Sequence, residues 1–403
     1  MRNAEMLEKA KILIEEGVCD ICLGRQFANC EEEDCESLGK KLRDMVAEKA
    51  VKNSEPCILC GGIFSELELY AQRGIEILKK YEFDTFMVGC RMDRILEAVE
   101  ESFLESLKLK CSVPFKVYFN RVIEKRISSF FGKRTSRDPD IILIYDLSTS
   151  DIEVQIKSLY IYGRYRKLVR GIPQTRWNCR ECNGKGCERC NFTGKMYSES
   201  VEELIAEPFL ELTGGKDAKL HGAGREDVDA RMLGSGRPFI LEIKEPFRRV
   251  VDLVKIAEEV KKRSSGKVEV LDLKFVSKRD VEKLKSARLK KKYRALVVFN
   301  RRIEKENLEK AIKELSFRIV DQRTPTRVLH RRADILRKRK VYQIDATSMS
   351  EFRAELIIEA DSGLYIKELI SGDGGRTRPS LAELLGVESR VEELDVIEVE
   401  GGL

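Results

Sequence analysis

The spacing of apolar residues changes period along this chain, and each change predicts an element. MRNAEMLEKAKILIEEG carries apolar residues at helical spacing, and a second helical pattern runs from Ser37 to Asn53. From Ser65 the chain mixes elements. A helix over ELELYAQRGIEILKKY precedes a strand at TFMVGCRM, and helices over DRILEAVEESFLESLK and PFKVYFNRVIEKRISSFF follow. Next come strands DPDIILIYDL and DIEVQIKSLYIYG, the second alternating through Ile152, Val154 and Ile156. The last half predicts strands at RPFILEIKEP, KVEVLDLKFV, YRALVVF, SFRIVDQ, YQIDATSM and RAELIIEAD, and helices at VDLVKIAEEVKKRS, RDVEKLKSARLKKK and NLEKAIKEL. Between His221 and Phe239, in HGAGREDVDARMLGSGRPF, a Gly-rich loop feeds an Arg-Glu-Asp triplet, and a stretch alternating with period two follows before a turn at Gly234-Ser235-Gly236. That predicts a strand with Asp227, Asp229 and Arg231 on one face and Val228, Ala230 and Met232 on the other.

These elements predict an α+β protein in four parts: a small module over 1–62, a mixed α/β segment over 63–175, a cysteine-rich linker over 176–200, and a domain over 201–403. The last has helices packed on a mainly antiparallel sheet. A length of 403 residues allows two or three domains, and a 42% hydrophobic fraction suffices for their cores. No run reaches the ~18 apolar residues of a membrane span, and the amphipathic N-terminus is not a secretory leader. The expectation is a soluble, cytoplasmic protein with no membrane partner.

Twelve cysteines without a secretory signal point to metal rather than disulfides. Cys19-x-x-Cys22 and Cys57-x-x-Cys60 are two knuckles a helix apart, the spacing of a closed tetrahedral zinc site, with Gly24 and Gly61-Gly62 permitting the turns behind them. CRECNGKGCERC supplies a second set, Cys179, Cys182, Cys187 and Cys190, in which Gly184 and Gly186 let the chain double back. Cys30 and Cys35 are spare ligands for the first site, and Cys90 and Cys111 read as core thiols. Four protein ligands leave no open position, so structural zinc is expected and no organic cofactor.

Lys+Arg total 75 against Asp+Glu 69, a net charge of +6, but the charge is clustered. GRYRKLVR, with Arg164, Arg166 and Lys167, and RVLHRRADILRKRK, with His330, Arg331 and Arg332, are basic strips carrying tyrosine or histidine, which fits phosphate contact and RNA binding.

DPDIILIYDL followed by IEVQIKSLYIYGRYRK resembles a THUMP domain, a module that holds tRNA. GREDVDARMLGSGRPF, KKKYRALVV, QRTPTRVLHRR, YIKELISGDGGRTRPS and the late Leu394 together resemble the ordered motifs of pseudouridine synthases, and of the Pus10 family in particular. The resemblance spans nearly the whole chain. It implies a tRNA pseudouridine synthase acting on uridines 54 and 55 of the TΨC loop, with the TΨC arm as partner and no obligate protein partner. By it Asp227, rather than Asp229, is the nucleophile, Lys367 pairs with Asp227, and Tyr293, Leu394 and Arg225 contact the uridine. A non-catalytic zinc and THUMP RNA-binding protein is the alternative from another class. A THUMP-linked methyltransferase is a third, against which HGAG counts because it leads into an Arg-Glu-Asp segment rather than a cofactor loop.

Overall fold

The computed structural model describes residues 3–28, 34–46, 56–109, 112–287 and 289–403. Two compact units divide the chain: Met1–Lys157 with Phe247–Arg249, and Ser158–Pro246 with Val250–Leu403. Cys30, Cys111 and the helix expected beyond Val46 lie outside the described residues.

In the first unit, α1 (Asn3–Glu15), α2 (Asp20–Phe27), α3 (Cys35–Val46) and α4 (Leu67–Leu78) precede β1 (Thr85–Arg91), α5 (Arg94–Ser106), α6 (Phe115–Phe131), β2 (Arg134–Thr135), β3 (Ile141–Asp146) and β4 (Asp151–Ile156). The strands form one sheet in the order β2-β1-β3-β4, with β1 parallel to β2 and β3, and β4 antiparallel to β3. Phe86, Phe119, Ile123, Leu143 and Tyr145 belong to one buried core in this unit.

Gly24 does not serve a turn. It lies inside α2, where an added Cβ would fall 1.7 Å from the Cys35 carbonyl oxygen, and Gly39 of α3 answers it, 1.8 Å from the Asp20 carbonyl oxygen. Two hydrogens at the crossing let the helix backbones touch. Gly61 and Gly62 do take the left-handed turn behind the second knuckle, with φ of 57° and 87°.

The second unit holds β5 (Leu159–Lys167), α7 (Val201–Thr213), β6 (Asp217–Gly222), β7 (Arg231–Lys244), α8 (Leu253–Arg263), β8 (Val268–Val276), α9 (Lys278–Ser286), β9 (Lys291–Phe299), α10 (Lys305–Leu315), β10 (Ile319–Arg323), β11 (Leu336–Ser350), β12 (Arg353–Ala360), α11 (Ile366–Ser371), β13 (Thr377–Arg378), α12 (Leu381–Leu385) and β14 (Ser389–Val399). Its sheet runs β13-β10-β11-β12-β9-β14-β7-β5-β8, with β6 also on β7. All pairings are antiparallel except β14 with β7.

The structure departs from the expected elements at three places. Residues after Ile156 do not extend the first sheet; β5 enters the second, between β7 and β8, so the boundary expected at 175 falls at 157/158. The helix expected through RDVEKLKSARLKKK stops at Ser286, and its last two lysines, Lys291 and Lys292, open β9. Residues 223–230 are loop and turn, with β7 starting only at Arg231. The cause of this last difference lies in the sheet. β6 pairs with Phe239–Lys244 and β14 with Arg231–Met232, on the edge of β7 opposite β5, so that edge is open between them. The loop fills the opening.

Among the described residues no helix is long and apolar enough to cross a membrane. Gly24→Ala and Gly39→Ala should each destabilise the first unit by about 1–3 kcal/mol, the usual range for overpacking. Thermal denaturation checks this; unchanged melting in both variants would contradict the close crossing of α2 and α3.

Candidate active site

The loop that fills the split edge of β7 is fixed from below. Glu226 is fully buried and accepts hydrogen bonds from Arg237 Nε at 2.9 Å and from the Tyr165 hydroxyl at 2.8 Å. Burial alone would raise its pKa, but the Arg237 and Lys167 charges hold the carboxyl below the usual range. Lys167 is wholly buried, and its ammonium donates to the carbonyls of Ile172, Asp227 and Val228 at 2.9, 3.2 and 3.1 Å. The Ala230 amide donates to the Asp227 carbonyl, closing the turn that replaces the expected strand.

Of the first basic strip expected to contact RNA, Lys167 is buried and both arginines have partners within the protein. Arg164 donates to the carbonyls of Ser235, Gly236, Val399 and Gly401, and Arg166 donates to the Gly234 carbonyl and pairs with Glu269. These cations cap backbone at the end of the sheet.

Above the loop, Asp227 opens into a cleft of about 220 Å³ whose walls include Arg225, Lys291, Tyr293, Arg327, Arg332, Tyr365, Lys367, Leu394 and Val396. Strand register explains the apolar wall. Tyr293 stands opposite Val396 and Ala295 opposite Leu394, so these side chains share one face of the sheet. Asp395, between the two, points to the other face, where Arg170, Arg231 and Arg294 reach it at 2.7, 2.8 and 2.6 Å. Those three cations overcome burial and keep its carboxyl down at about 2. Arg170 also donates to the carbonyls of Asp229 and Leu394, tying the loop to β14.

The ion pairing of Asp227 differs from expectation. Arg327, on the 3₁₀ turn Thr326–Arg331, forks onto both its oxygens at 3.1 and 3.0 Å. The same guanidinium donates from Nε to Glu368 at 2.7 Å and lies 5.8 Å over the Tyr365 ring. Lys367 sits 3.8 Å from Asp227 but 2.6 Å from Asp229. Asp229 therefore holds the lysine, and its carboxyl stays below the ordinary range because that contact outweighs desolvation. Gln322, wholly buried, exchanges two hydrogen bonds with the Tyr365 backbone and so orients the start of α11 that carries Lys367 and Glu368.

Tyr293 is buried in the cleft floor, and burial pushes its hydroxyl up to about 12. His330 and Arg332 are exposed on or beside the 3₁₀ turn, Arg332 donating to the Tyr365 hydroxyl at 3.0 Å. Arg331 belongs to the same turn. Arg225 is exposed at the rim, its guanidinium 5.4 Å over Trp177. The sequence reading missed Arg327, Glu226, Glu368 and Lys291, although QRTPTRVLHRR contains the first and KKKYRALVV the last.

Both predicted cysteine quartets assemble. In each, the four Sγ atoms lie within 4.8 Å of one another. Cys19 and Cys60 are 3.9 Å apart, Cys179 and Cys187 3.8 Å, and Cys182 and Cys190 3.9 Å. A tetrahedral ion about 2.3 Å from each thiolate requires edges of about 3.8 Å. Backbone amides of Cys19, Gly186, Cys187 and Gly194 point at the sulfurs, as they would at thiolates. Cys35 is not in the first quartet but packs against Ala28 and Val113.

Lys291 lines the cleft almost wholly buried, and desolvation with the neighbouring Arg237 charge lowers its amine from 10.5 to about 7. Below pH 7 it is protonated in both folded and unfolded chains, and its burial opposes folding. Between about pH 7 and 10.5 only the unfolded amine keeps the proton, so stability rises across that window. In urea melts, wild type should gain on Lys291→Met over that range; a difference independent of pH would contradict the assignment.

A family model for the Pus10 C-terminal region matches residues 160–400, and one for the archaeal Pus10 THUMP domain matches residues 70–146. The tRNA pseudouridine synthase Pus10 of Methanothrix thermoacetophila is 45% identical over 95% of this chain and 92% of its own length. That of Methanothermobacter marburgensis is 45% identical over 98% of both. Likeness to solved structures is lower: the crystal structure of a Cbf5-Nop10-Gar1 complex aligns with 49% of this chain and 45% of its own at 18% identity and a TM-score of 0.31. With matched models over both units and relatives aligned along nearly their whole length, the chain belongs to the Pus10 family.

Proposed function

We propose that this chain is a tRNA pseudouridine synthase that isomerises uridines 54 and 55 of the TΨC loop, with Asp227 as the nucleophile. The observation that carries this reading is the cleft in which a forked, half-exposed Asp227 carboxylate faces the Tyr293, Leu394 and Val396 wall. The reaction breaks the bond from uracil N1 to ribose C1′ and forms one from C5 to C1′. N1 gains a proton, C5 loses one, and there is no net redox change. A carboxylate that attacks C1′ and is later released balances these steps without an external donor. Removal of a ribose proton by the same carboxylate balances them equally.

The wall supplies what a flipped base needs. Its target atoms are inaccessible while stacked, and an aromatic ring with two aliphatic side chains offers an apolar receptacle for the extruded uracil. Arg327 and Lys367 supply positive charge beside the sugar and phosphate. The exposed Arg225, His330 and Arg332 continue that charge along the rim, where phosphates of the TΨC arm would lie. The THUMP-containing unit would add its own grip on the tRNA.

Asp227→Asn should bind unmodified tRNA transcript with near wild-type affinity and produce no pseudouridine. Asp229→Asn should keep turnover, since it frees Lys367 without touching the reactive carboxylate. Arg327→Met should lower the single-turnover rate by about 10²-fold or more, as misplacement of a reacting group does. Exchange of the two aspartate phenotypes would refute the assignment, as would a wild-type rate in Arg327→Met.

We infer further that both quartets hold structural zinc, since thiolate-only tetrahedral sites suit that ion and offer it no open position. Purified protein should contain two zinc ions per chain by elemental analysis. Chelation should lower the melting temperature, and protein that is metal-free yet equally stable would contradict the inference.

A further inference from the structure

The Cys179–Cys190 segment gathers a cysteine quartet, and its base meets the cleft through Arg225. The knuckle leaves and rejoins the domain as a short ribbon: Asn178 bridges Lys195, the Cys179 amide donates to Gly194, and the Met196 amide donates to Trp177 at 2.9 Å. Trp177 thus stands at the foot of the ribbon, held edge-to-face by Tyr197 with ring centroids 5.6 Å apart. Its face carries the guanidinium of Arg225, a cleft-wall residue two positions before Asp227.

The two sides of this contact are tied together by backbone. Gln174, buried just ahead of Trp177, donates to the Gly224 carbonyl at 2.9 Å, beside Arg225, and the Gly171 amide donates to Val228 at 2.9 Å. The distance from Trp177 to the reactive loop is therefore set by hydrogen bonds to main chain on both flanks, not by the arginine alone. Trp177 and Tyr197 are half-buried and Arg225 is exposed, so the stack lies open at the rim. An aromatic face with an arginine over it is a surface on which a nucleobase stacks, whatever its identity.

We propose that Trp177 and Arg225 form a stacking ledge that takes an unpaired base of the RNA beside the target uridine, which makes the cysteine knuckle a substrate-binding element. The inference rests on reading the cleft as a uridine-isomerising site and adds to it a second base-sized subsite. As the target uridine is drawn toward Asp227, Arg225 swings off Trp177 to the gap left in the RNA, and the neighbouring base occupies the exposed indole face. Trp177 makes no contact with the reacting atoms; it is a positioning residue.

The chain contains a single tryptophan, so its emission reports on this position alone. The full-length Asp227→Asn protein is titrated with an unmodified TΨC-arm stem–loop, and RNA binding is followed in parallel by the anisotropy of a 5′ dye. Trp177 emission should be quenched with the same half-saturation, and acrylamide should reach the indole less well in the complex. In steady-state assays with otherwise native protein, Trp177→Ala should raise KM by about tenfold with kcat within about twofold, and Trp177→Phe should restore most of the loss. Unchanged emission and quencher access at RNA saturation would overturn the ledge while leaving the cleft reading intact. A wild-type chain that makes no pseudouridine on the transcript would overturn the cleft reading and the ledge with it.

Discussion

Glu226 is a carboxylate in a wholly buried place, and the conformation of the loop that carries Asp227 follows from how it is neutralised. An isolated ion there would be prohibitive, so Arg237 and the Tyr165 hydroxyl must meet it, with Lys167 at 3.9 Å completing the charge balance. Such a group adds little net stability over a well-packed apolar one, yet breaking one partner away costs about 3–5 kcal/mol. These contacts hold the loop in the arrangement seen here. Asp227 is the next residue, so the main chain that carries its carboxylate is held by these buried contacts.

The opposite wall depends on the same kind of long-range pairing. Arg327 spans Asp227 and Glu368, Lys367 bridges to Asp229, and Asp395 gathers three arginines behind Leu394. Asp395 and its arginines thus brace the far face of the sheet, while on the cleft face the apolar side chains of Tyr293, Leu394 and Val396 stand beside the ion pairs of Asp227. That division suits a reaction needing a dry receptacle for uracil and an anionic group beside the ribose. In a protein this rich in charge, many basic residues also serve the fold, as the backbone caps made by Arg164 and Arg166 illustrate.

Much of the fold was legible because buried strands and helices impose their periods locally. The alternation in β3, β9 and β12 and the apolar stripe of α6 needed no distant information. The cysteine pairs announced both quartets by spacing alone. The stretch DVDAR misled because Val228, Ala230 and Met232 alternate like a strand, while the gap between β6 and β14 that turns it into a loop is created by residues far along the chain. Lys167 misled for a related reason: a basic run looks the same on a surface as at the end of a central strand, and only the carbonyls around it distinguish the two. Arg327 lies 100 positions from Asp227, and no local pattern signals such a pair. Asp227, Tyr293, Lys367 and Leu394, drawn from four segments, nevertheless line one cleft.

On the proposal above, this cleft isomerises uridine in the TΨC loop using only the chain's own side chains at the reacting atoms. The most direct measurement is a position-by-position map of pseudouridine in an unmodified tRNA transcript after incubation with purified wild-type protein and no added organic cofactor. Pseudouridine should appear at positions 54 and 55 and at no other uridine. An unchanged transcript, or modification confined to uridines outside the TΨC loop, would contradict it.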